Sequence, residues 1–399
     1  MLRLDNKHVL LGVTGSISAY KSATIASRLT QLGALVDVVM TRNACEFITP
    51  TTFETLTHRR VYTDTFSRAV PQEVDHIAVA RRADLALIAP CSANFLAKLS
   101  YGLADDMLSS TMLAVTAPIW LAPAMNSFMF ENAATQHNLD ILTARGFQII
   151  EPASGTLACG TTGRGRMPEP DALVERVVRE LALPHTLAGK TVLVTAGATR
   201  EYLDAVRFLS NPSSGKMGTA CARIARAMGA RVILLAAHMD VLPPDDVELC
   251  HVESAQDLAQ KVEEFAPQAD IVVMSAAVSD FTPKSREQHK VHKSDAETNV
   301  AFVHTKDILN ALGHARRKGQ FLCGFCMETQ DLIARARQKL TSKNVDMIVA
   351  NSISEPGCGF AHDTNGVTLL TANSEMTLPV MSKDDVAVQI FAEILKHLP

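Results

Sequence analysis

Short apolar segments alternate with amphipathic ones along the first half of the chain. The apolar runs are four to six residues long, as expected of strands that are buried on both faces of a sheet. They are His8–Val13, Leu35–Met40, Leu85–Ala89, Ile119–Ala122 and Phe147–Ile150. Segments with helical spacing include Ala19–Leu32, Glu131–Arg145 and Asp171–Leu181. Strands that alternate with helices predict a mostly parallel, doubly wound sheet.

The same alternation restarts after the segment Pro184–Gly189, which we interpret as a domain boundary. Strands are predicted at Thr191–Thr195, Arg231–Ala236, Ile271–Ser275, Phe321–Phe325, Met347–Ala350 and Val367–Leu370. Helices are predicted at Met217–Met228, Ala255–Phe265, Asp307–Arg317, Asp331–Lys339 and Asp384–His397. The sequence therefore predicts an α/β protein of two Rossmann-like, doubly wound domains, residues 1–187 and 188–399.

The composition of the 399 residues limits the partners that this protein could have. A formal net charge of −4 provides no basic surface for nucleic acid, and aromatic residues, at 5%, are too few for base-stacking platforms. The longest apolar region, Met112–Met125, contains two prolines and is too short to span a bilayer. The amino terminus lacks the features of a signal peptide, and the eight scattered cysteines suit a reducing compartment. We expect a cytoplasmic protein without nucleic-acid or membrane partners.

Small polar residues follow three of the first-half strands. Gly15-Ser16-Ile17-Ser18 comes between the first strand and the first helix, where such residues either bind a phosphate or simply make the turn. Ser92 and Asn94 follow the strand that begins at Leu85, and Asn126 follows the next. Because parallel strands end at one edge of a sheet, these turns predict a pocket at that edge.

Two further candidates in the first half are a histidine and a cysteine. His76 lies at the start of a helical segment; a single histidine there is a functional residue or an ordinary surface or capping residue. Cys159 lies in the Gly-rich stretch Ala153–Gly165, which shows no periodicity and could close over a site as a loop. Within such a loop, Cys159 could act as an exchangeable proton donor.

The second half also contains segments that suit ligand binding. Ser213–Gly218 runs into a helix, so it is either an anion site or an ordinary Ser/Gly cap. The polar stretch between Asp280 and Asn299 is a functional flap or a solvated insertion. Cys323 and Cys326 have the spacing of a redox or metal pair, but alternation along a strand sends them to opposite faces, and no second pair completes a zinc site.

The ordered motifs of the first half resemble those of the flavin-containing cysteine decarboxylases. They are Gly12-Val13-Thr14-Gly15-Ser16, Asp75-His76-Ile77, Pro90-Cys91-Ser92-Ala93-Asn94, Pro123-Ala124-Met125-Asn126, Ala158-Cys159-Gly160 and Gly165-Arg166-Met167. From about residue 6 to residue 395, the chain resembles the bacterial bifunctional enzymes of coenzyme A biosynthesis, in which phosphopantothenoylcysteine decarboxylase is fused to phosphopantothenate–cysteine ligase. The resemblance implies a flavodoxin-like flavoprotein domain followed by a ligase domain.

For the first domain, the resemblance implies FMN and a decarboxylation. The flavin oxidises the cysteine β-carbon to a thioaldehyde, which serves as the electron sink for the loss of CO₂, and the resulting enethiol is then reduced. His76 would be the base, Asn126 would recognise the substrate carboxylate, and Cys159 would supply the final proton. The implied FMN contacts are Gly15, Ser16, Ser92, Asn94 and Met125. Cys91 replaces a smaller residue that is usual in the family.

For the second domain, the resemblance implies that CTP activates 4′-phosphopantothenate as an acyl-cytidylate and that the amine of L-cysteine then displaces CMP. Asn211 and Arg207 would bind the acyl intermediate, and Lys290 would stabilise the α-phosphate. Mg²⁺ would be held mostly by the phosphates, with Asp280 as the candidate protein ligand. The implied nucleotide and substrate contacts are Arg207, Ala276, Ala277, Asp280, Lys290, Asp307, Ile308, Phe325, Lys339 and Lys343.

Two segments differ from the family pattern, and the family implies an assembly. Thr305-Lys306 replaces the usual Asn-Pro before Asp307, and Ala237-His238-Met239 replaces a usual Gly-Pro. The family forms its decarboxylase site between protomers, which implies a homo-oligomer of decarboxylase trimers and ligase dimers, up to a dodecamer.

Two alternative functions remain, a decarboxylase of peptidyl cysteine and a regulatory binding subunit. The first predicts a chain without the second half, and the second predicts the loss of the catalytic residues.

Overall fold

The computed structural model describes residues 2–67, 74–156, 162–291, 299–328, 331–352, 359 and 362–398. Contacts divide the chain into two compact units, Leu2–Ala182 and the residues from Leu183 onward. Within the described ranges, no helix combines the length and the apolar character needed to cross a membrane.

The first unit contains a central sheet and a separate hairpin. Its sheet strands are β1 (His8–Val13), β2 (Leu35–Met40), β3 (Val61–Tyr62), β4 (Leu85–Cys91), β5 (Ile119–Pro123) and β6 (Gln148–Ile149), and its hairpin strands are β7 (Ala153–Thr156) and β8 (Thr162–Arg166). Its helices are α1 (Ala19–Gln31), α2 (Arg42–Cys45), α3 (Pro50–Thr57), α4 (Asp75–Arg82), α5 (Ala93–Tyr101), α6 (Met107–Ala114), α7 (Ser127–Glu131), α8 (Ala133–Ala144) and α9 (Pro170–Leu181).

All neighbouring strands of the first sheet are parallel, in the order β3-β2-β1-β4-β5-β6. The edge strand β3 has only two residues. Without it, the remaining five strands have the 2-1-3-4-5 order of flavodoxin-like folds, and with it they have the Rossmann order. The predicted Rossmann-like, flavodoxin-like sheet is therefore confirmed.

The first sheet is covered by helices on both faces. Along β1, Val9 and Leu11 pack into one cluster with α1 and α9, whereas Leu10 packs into the opposite cluster with α5, α6 and α8. All three side chains are almost fully buried. This three-layer arrangement explains why the strands are continuous apolar runs, because each face of the sheet lies against a helix layer.

The second unit contains a larger sheet and two small hairpins. Its strands are β9 (Thr191–Ala196), β10 (Arg200–Tyr202), β11 (Phe208–Ser210), β12 (Arg231–Ala236), β13 (Glu248–His251), β14 (Ile271–Met274), β15 (Phe281–Pro283), β16 (Phe302–His304), β17 (Phe321–Glu328), β18 (Met347–Ser352), β19 (Thr364–Thr371) and β20 (Glu375–Ser382). Its helices are α10 (Lys216–Ala227), α11 (Ala255–Phe265), α12 (Ile308–Ala315), α13 (Leu332–Ser342) and α14 (Lys383–Leu395).

The second sheet has the order β13-β12-β9-β14-β17-β18-β19-β20. The first six of these strands are parallel, and β19 and β20 are antiparallel to their neighbours. The helices α11, α12 and α13 contribute to the core on one face, and α10 and α14 contact each other outside that core. The prediction of a second doubly wound domain is confirmed, with an antiparallel pair added at one edge.

Several predicted elements differ in detail from those observed. The predicted helix Glu131–Arg145 is two helices, α7 and α8, because Asn132 has an extended ψ of 134° and caps α8 by accepting a hydrogen bond from the Ala134 N–H at 2.9 Å. The Gly-rich stretch expected to be a loop contains the antiparallel hairpin β7–β8. Asp307 caps α12 from outside the helix rather than beginning it.

Candidate active sites

The first candidate site is a cavity of about 840 Å³ at the carboxyl edge of the first sheet. The turns that follow β1, β2, β4 and β5 line this cavity, so it lies at the sheet edge where the sequence predicts a pocket. Among the lining residues are all the predicted flavin contacts and the predicted substrate-binding asparagine, namely Gly15, Ser16, Ser92, Asn94, Met125 and Asn126. The structure therefore brings together six residues that are up to 111 positions apart in the sequence.

A buried threonine, Thr14, holds two of these turns together. Its hydroxyl donates to the Pro90 carbonyl oxygen at 2.9 Å and accepts from the Ser92 N–H at 2.9 Å. The ends of β1 and β4 are thereby fixed relative to each other at the cavity wall. The motif that contains Thr14 does not reveal this role, since both partners lie far away in the sequence, at 76 and 78 residues.

The predicted ligand contacts Ser92 and Asn126 also cap helices. Ser92 Oγ accepts from the Phe95 N–H at 3.4 Å at the start of α5. Asn126 Oδ1 accepts from the Phe128 N–H at 2.9 Å at the start of α7. Capping restricts the rotamers of both side chains, so that they are held at the cavity wall before any ligand binds.

The amino terminus of α1 supplies positive potential to the same cavity. Gly15–Ser18 lead into this 13-residue helix, and its first turn contains no acidic residue. Lys21 also lines the cavity; it is 6% exposed, and its ammonium group lies 2.9 Å from Glu169 Oε1. The hydrogen bond from Lys21 lowers the pKa of Glu169, which favours the carboxylate form of Glu169. A helix terminus and a lysine beside one cavity fit a phosphorylated flavin, and Lys21 was not among the residues predicted from the sequence.

The hairpin β7–β8 forms part of the cavity wall. The Met125 N–H donates to the Gly165 carbonyl oxygen at 3.0 Å, and both Gly165 and Arg166 line the cavity. Gly165 has a φ of +128°, and a Cβ there would collide with the Met125 carbonyl oxygen. The docking of β8 on this turn therefore requires glycine. Cys159 lies outside the described residues, between the two strands of the hairpin.

The structure does not place His76 in the wall of this cavity. His76 is in the first turn of α4, and its Nδ1 is buried without a hydrogen-bond partner among the described residues. Both ends of α4 are fixed by ion pairs, Arg60 Nη1 with Asp75 Oδ2 at 3.4 Å and Arg82 Nε with Asp37 Oδ2 at 2.6 Å. His76, the predicted base, therefore lies on a helix that ion pairs hold at both ends, and it does not line the cavity of its own chain.

The second candidate site is a cavity of about 830 Å³ at the carboxyl edge of the second sheet. Nine predicted residues line it: Asn211, Ala276, Ala277, Asp280, Asp307, Ile308, Phe325, Lys339 and Lys343. Arg207 and Lys290 are not among the lining residues. Arg207 instead donates from Nη1 to Asp204 Oδ2 at 3.2 Å and to the Val291 carbonyl oxygen at 3.1 Å, and Lys290 is exposed on the flap.

Two buried threonines organise the turns of this second site. Thr195 Oγ1 accepts from the Ala276 N–H at 3.0 Å, and Thr199 Oγ1 accepts from the Ser279 N–H at 3.0 Å. Asn211 Nδ2 donates to the Val278 carbonyl oxygen at 3.3 Å, so the predicted Asn211 is held against the same turn. These bonds connect the end of β9 with the end of β14, much as Thr14 does in the first unit.

The helix α10 begins at the wall of the second cavity and packs very closely on β9. A Cβ at Gly218 would lie 2.5 Å from Ala196 Cβ and 2.8 Å from the Thr195 carbonyl oxygen, so only glycine fits there. The first turn of α10 contains no acidic residue. In the segment that departs from the family pattern, Met239 packs next to this helix, with its sulfur 3.8 Å from Thr219 Oγ1.

Five lysines line the second cavity: Lys216, Lys306, Lys339, Lys343 and Lys383. Lys339 pairs with Glu328 at 2.8 Å and lowers the pKa of that carboxyl through their hydrogen bond, and Lys343 pairs with Asp307 at 3.2 Å. Such a concentration of cations suits a polyphosphate. The described residues contain no group of three or more His, Cys, Asp or Glu that could hold a metal ion. Lys216, Lys306 and Lys383 were not predicted as ligand contacts, although the segments Ser213–Gly218 and Thr305-Lys306 contain the first two.

The two thiols with redox-like spacing are buried in β17. Cys323 is 0% exposed and Cys326 is 5% exposed, and both are free thiols. Burial raises the pKa of each, so neither has the character of a reactive thiolate. Cys326 belongs to the core cluster that α11, α12 and α13 form on one face of the sheet, and Cys323 does not, which agrees with the predicted alternation of faces.

Comparisons with known proteins agree with the division of the chain into two units. The family model described as "Flavoprotein" matches residues 2–182, and the one described as "DNA/pantothenate metabolism flavoprotein C-terminal domain" matches residues 187–398. The chain is 45% identical over 395 residues to the "Coenzyme A biosynthesis bifunctional protein CoaBC" of Bacillus subtilis, which covers 98% of this chain and 97% of that protein. It is 41% identical over 389 residues to the protein of that name from Vibrio cholerae, which covers 97% of each.

A crystal structure of the C-terminal domain of a "Coenzyme A biosynthesis bifunctional protein CoaBC" is also similar. It has 38% sequence identity and a TM-score of 0.46, and it covers 53% of this chain and 97% of the compared chain. The full-length relatives confirm the predicted bifunctional enzyme, with its decarboxylase and ligase halves. This chain belongs to the family of the bifunctional proteins of coenzyme A biosynthesis.

Proposed function

We propose that this chain is a cytoplasmic enzyme that carries out two consecutive steps at two separate sites. In the ligase domain, 4′-phosphopantothenate and L-cysteine are joined at the expense of CTP. In the decarboxylase domain, the product loses CO₂ with the help of FMN and becomes 4′-phosphopantetheine. The observation that carries this proposal is the pair of cavities, each of which is lined by most of the ligand-binding residues expected for one of the two reactions. The proposed boundary between the domains is residue 187.

In the decarboxylase cavity, the chain binds and orients its ligands. FMN, when bound, would supply the hydride-acceptor and hydride-donor chemistry that oxidation of the cysteine β-carbon and the final reduction need. Gly15 and Ser16 would hold its phosphate at the start of α1, and Ser92, Asn94 and Met125 would hold the rest of the cofactor. Asn126 would then bind the carboxylate that is lost as CO₂. Cys159 would donate the proton that completes the reduction.

The position of His76 supports a site that a neighbouring subunit completes. His76 does not line the cavity of its own chain, and several apolar side chains near the cavity mouth are exposed, including Ile17 at 58%, Tyr20 at 61% and Met129 at 50%. Exposed apolar groups of this size mark an interaction surface. On this proposal, His76 of the partner subunit supplies the base within a decarboxylase trimer, and dimers of ligase domains join such trimers, up to a dodecamer.

In the ligase cavity, the lysines neutralise the triphosphate. The carboxylate of 4′-phosphopantothenate attacks the α-phosphorus of CTP, pyrophosphate leaves, and the cysteine amine then displaces CMP from the acyl-cytidylate. Lys339 and Lys343 would bind phosphates, and Lys290 would stabilise the α-phosphate as its charge develops. Mg²⁺ would be coordinated mainly by the phosphates, with Asp280 as the contributing carboxylate. Arg207 and Asn211 would hold the acyl intermediate.

The experiment that tests this proposal is incubation of the protein with 4′-phosphopantothenate, cysteine and either CTP or ATP. We expect release of CMP and of CO₂ in equal amounts, formation of 4′-phosphopantetheine, and little turnover with ATP. The purified protein should be yellow and show a flavin spectrum. Protein that takes up no FMN, or that produces neither CMP nor CO₂, would exclude the proposal. A decarboxylase of peptidyl cysteine would release CO₂ without any use of CTP.

A further inference from the structure

Asp204 is a buried carboxylate that connects two separate segments of the ligase unit. It lies between β10 and β11 and is 1% exposed. Its Oδ1 accepts hydrogen bonds from the backbone N–H groups of Val206 and Arg207, both at 2.7 Å. This oxygen therefore holds the turn that places the Arg207 side chain.

The second oxygen of Asp204 points to the flap. Its Oδ2 accepts from the Val291 N–H at 3.3 Å and from Arg207 Nη1 at 3.2 Å. Arg207 Nη1 in turn donates to the Val291 carbonyl oxygen at 3.1 Å. Asp204, Arg207 and Val291 therefore form a closed set of hydrogen bonds, and Lys290 directly precedes Val291 in the chain.

The flap has two further contacts with the same loop. The Glu287 N–H donates to the Leu203 carbonyl oxygen at 3.0 Å. The Arg286 guanidinium lies 4.6 Å from the centre of the Tyr202 ring, in a cation–π contact. The described part of the flap is thus fixed at its end by Asp204 and supported along its length by residues 202 and 203.

We propose that Asp204 is a positioning residue of the ligase reaction, and that its Oδ2 fixes the flap so that Lys290 and Arg207 are held for the acyl transfer. This inference rests on the proposed ligase activity. Four N–H donors lie within hydrogen-bonding distance of a carboxylate that is shielded from water, so the anionic form is required. Lys290 itself stays exposed and available to a substrate phosphate.

The protonation behaviour of Asp204 agrees with this role. The hydrogen bonds from the Arg207 and Val206 N–H groups lower its pKa below the usual range. Asp204 therefore remains a carboxylate, and its two oxygens remain acceptors, throughout the pH range in which the enzyme would work.

The variant Asp204→Asn separates the two tasks of this side chain. Its amide oxygen can still accept from Val206 and Arg207, but its amide nitrogen then faces two N–H donors and cannot accept from either. We expect kcat for CTP-dependent ligation to fall about 10- to 100-fold, the effect of a displaced catalytic group. Decarboxylation of supplied 4′-phosphopantothenoylcysteine on the same chain should not change.

Asp257→Asn is the matched control in the same domain. Asp257 accepts from the Ser254 N–H at 3.0 Å in the capping box of α11 and does not line the cavity. This variant also removes one carboxylate that accepts backbone hydrogen bonds, yet it should keep the ligase rate. The inference is wrong if the two variants have equal ligase rates. It is also wrong if thermal unfolding shows that Asp204→Asn loses folded protein and the ligase rate falls only in proportion to that loss.

A second measurement tests the hydrogen-bonded connection between Asp204 and the flap without a catalytic assay. Hydrogen exchange of the segment 286–291 should be slow in the unaltered protein and at least tenfold faster in Asp204→Asn, with trypsin cleavage after Lys290 faster in parallel. An exchange rate in the unaltered protein equal to that of free peptide would overturn the inference, even if Asp204→Asn does not fold. If the unaltered protein shows a protected segment but no CTP-dependent ligation, the proposed function fails and the connection itself stands.

Discussion

The docking of the β7–β8 hairpin on the decarboxylase cavity can be tested by replacing Gly165 with alanine. The φ of Gly165 is +128°, and its missing Cβ leaves room for the Met125 carbonyl oxygen. An alanine there has to adopt a backbone conformation that costs about 1–3 kcal/mol. It also has to move away from Met125, which breaks the 3.0 Å hydrogen bond from the Met125 N–H and costs a further 0.5–1.5 kcal/mol, roughly.

Together these costs amount to about 1.5–4.5 kcal/mol, and we expect most of this free energy to weaken the docking of the hairpin rather than to promote global unfolding. Because β8 supplies one wall of the cavity, FMN should then bind more weakly. At 1.4 kcal/mol for each factor of ten, the dissociation constant for FMN should rise about 10- to 1,600-fold. Ligation, which takes place in the other domain, should be unaffected.

The assay is a titration of flavin-free protein with FMN, followed by quenching of flavin fluorescence. Gly155→Ala is the matched control in the opposite strand of the hairpin. Gly155 also has a positive φ, +157°, but a Cβ there would have no atom closer than 3.5 Å. Equal affinities of the Gly165→Ala and Gly155→Ala variants for FMN would refute the argument that close docking on Met125 shapes the cavity.

Three further predictions concern the ligase domain. Gly218→Val should force α10 away from Ala196, lower the free energy of unfolding by about 1–3 kcal/mol in denaturant titrations and abolish ligation, whereas intact ligation would contradict the close packing. Lys290→Ala should abolish CTP-dependent pyrophosphate release and leave decarboxylation intact; loss of both activities would exclude separate sites. Burial raises the pKa of Cys221 to about 12 from 9.0, so the thiol stabilises the fold fully below pH 9. Stability should then decrease by about 1.4 kcal/mol per pH unit as the pH rises from 9 to 12, since only the unfolded state loses the proton there. Denaturant midpoints at pH 8 and pH 10.5 should show this decrease in the unaltered protein and a smaller one in Cys221→Ala; equal decreases would contradict it.

The central strands were predictable because burial on both faces leaves a continuous apolar run. The bounds of β1, β2 and β12 agree with the prediction at every residue. Edge strands and hairpins were not predictable in the same way. Most of β13 is exposed, and its residues lack an apolar run, so only its pairing with β12 makes it a strand.

The candidate sites were predictable as far as they consist of turns at strand ends. The residues Gly15, Ser92 and Asn126 follow three strands of one sheet, and the parallel topology alone brings them to one edge. The prediction placed His76 in the same catalytic group, and the structure shows that it lies outside the wall of that cavity. No pattern in the sequence indicates whether the first turn of α4, which carries His76, faces that cavity.

The sequence by itself determined the fold class, the two sheets, the turns that line the two cavities and the family, because these depend on local patterns and on ordered motifs. Only the tertiary structure decided which charged groups meet. Lys21 with Glu169, and Asp204 with Val291, are joined across 148 and 87 residues. Charges and hydrogen-bond donors act over a few ångströms in space, so their partners depend on how the chain packs and not on their spacing along it.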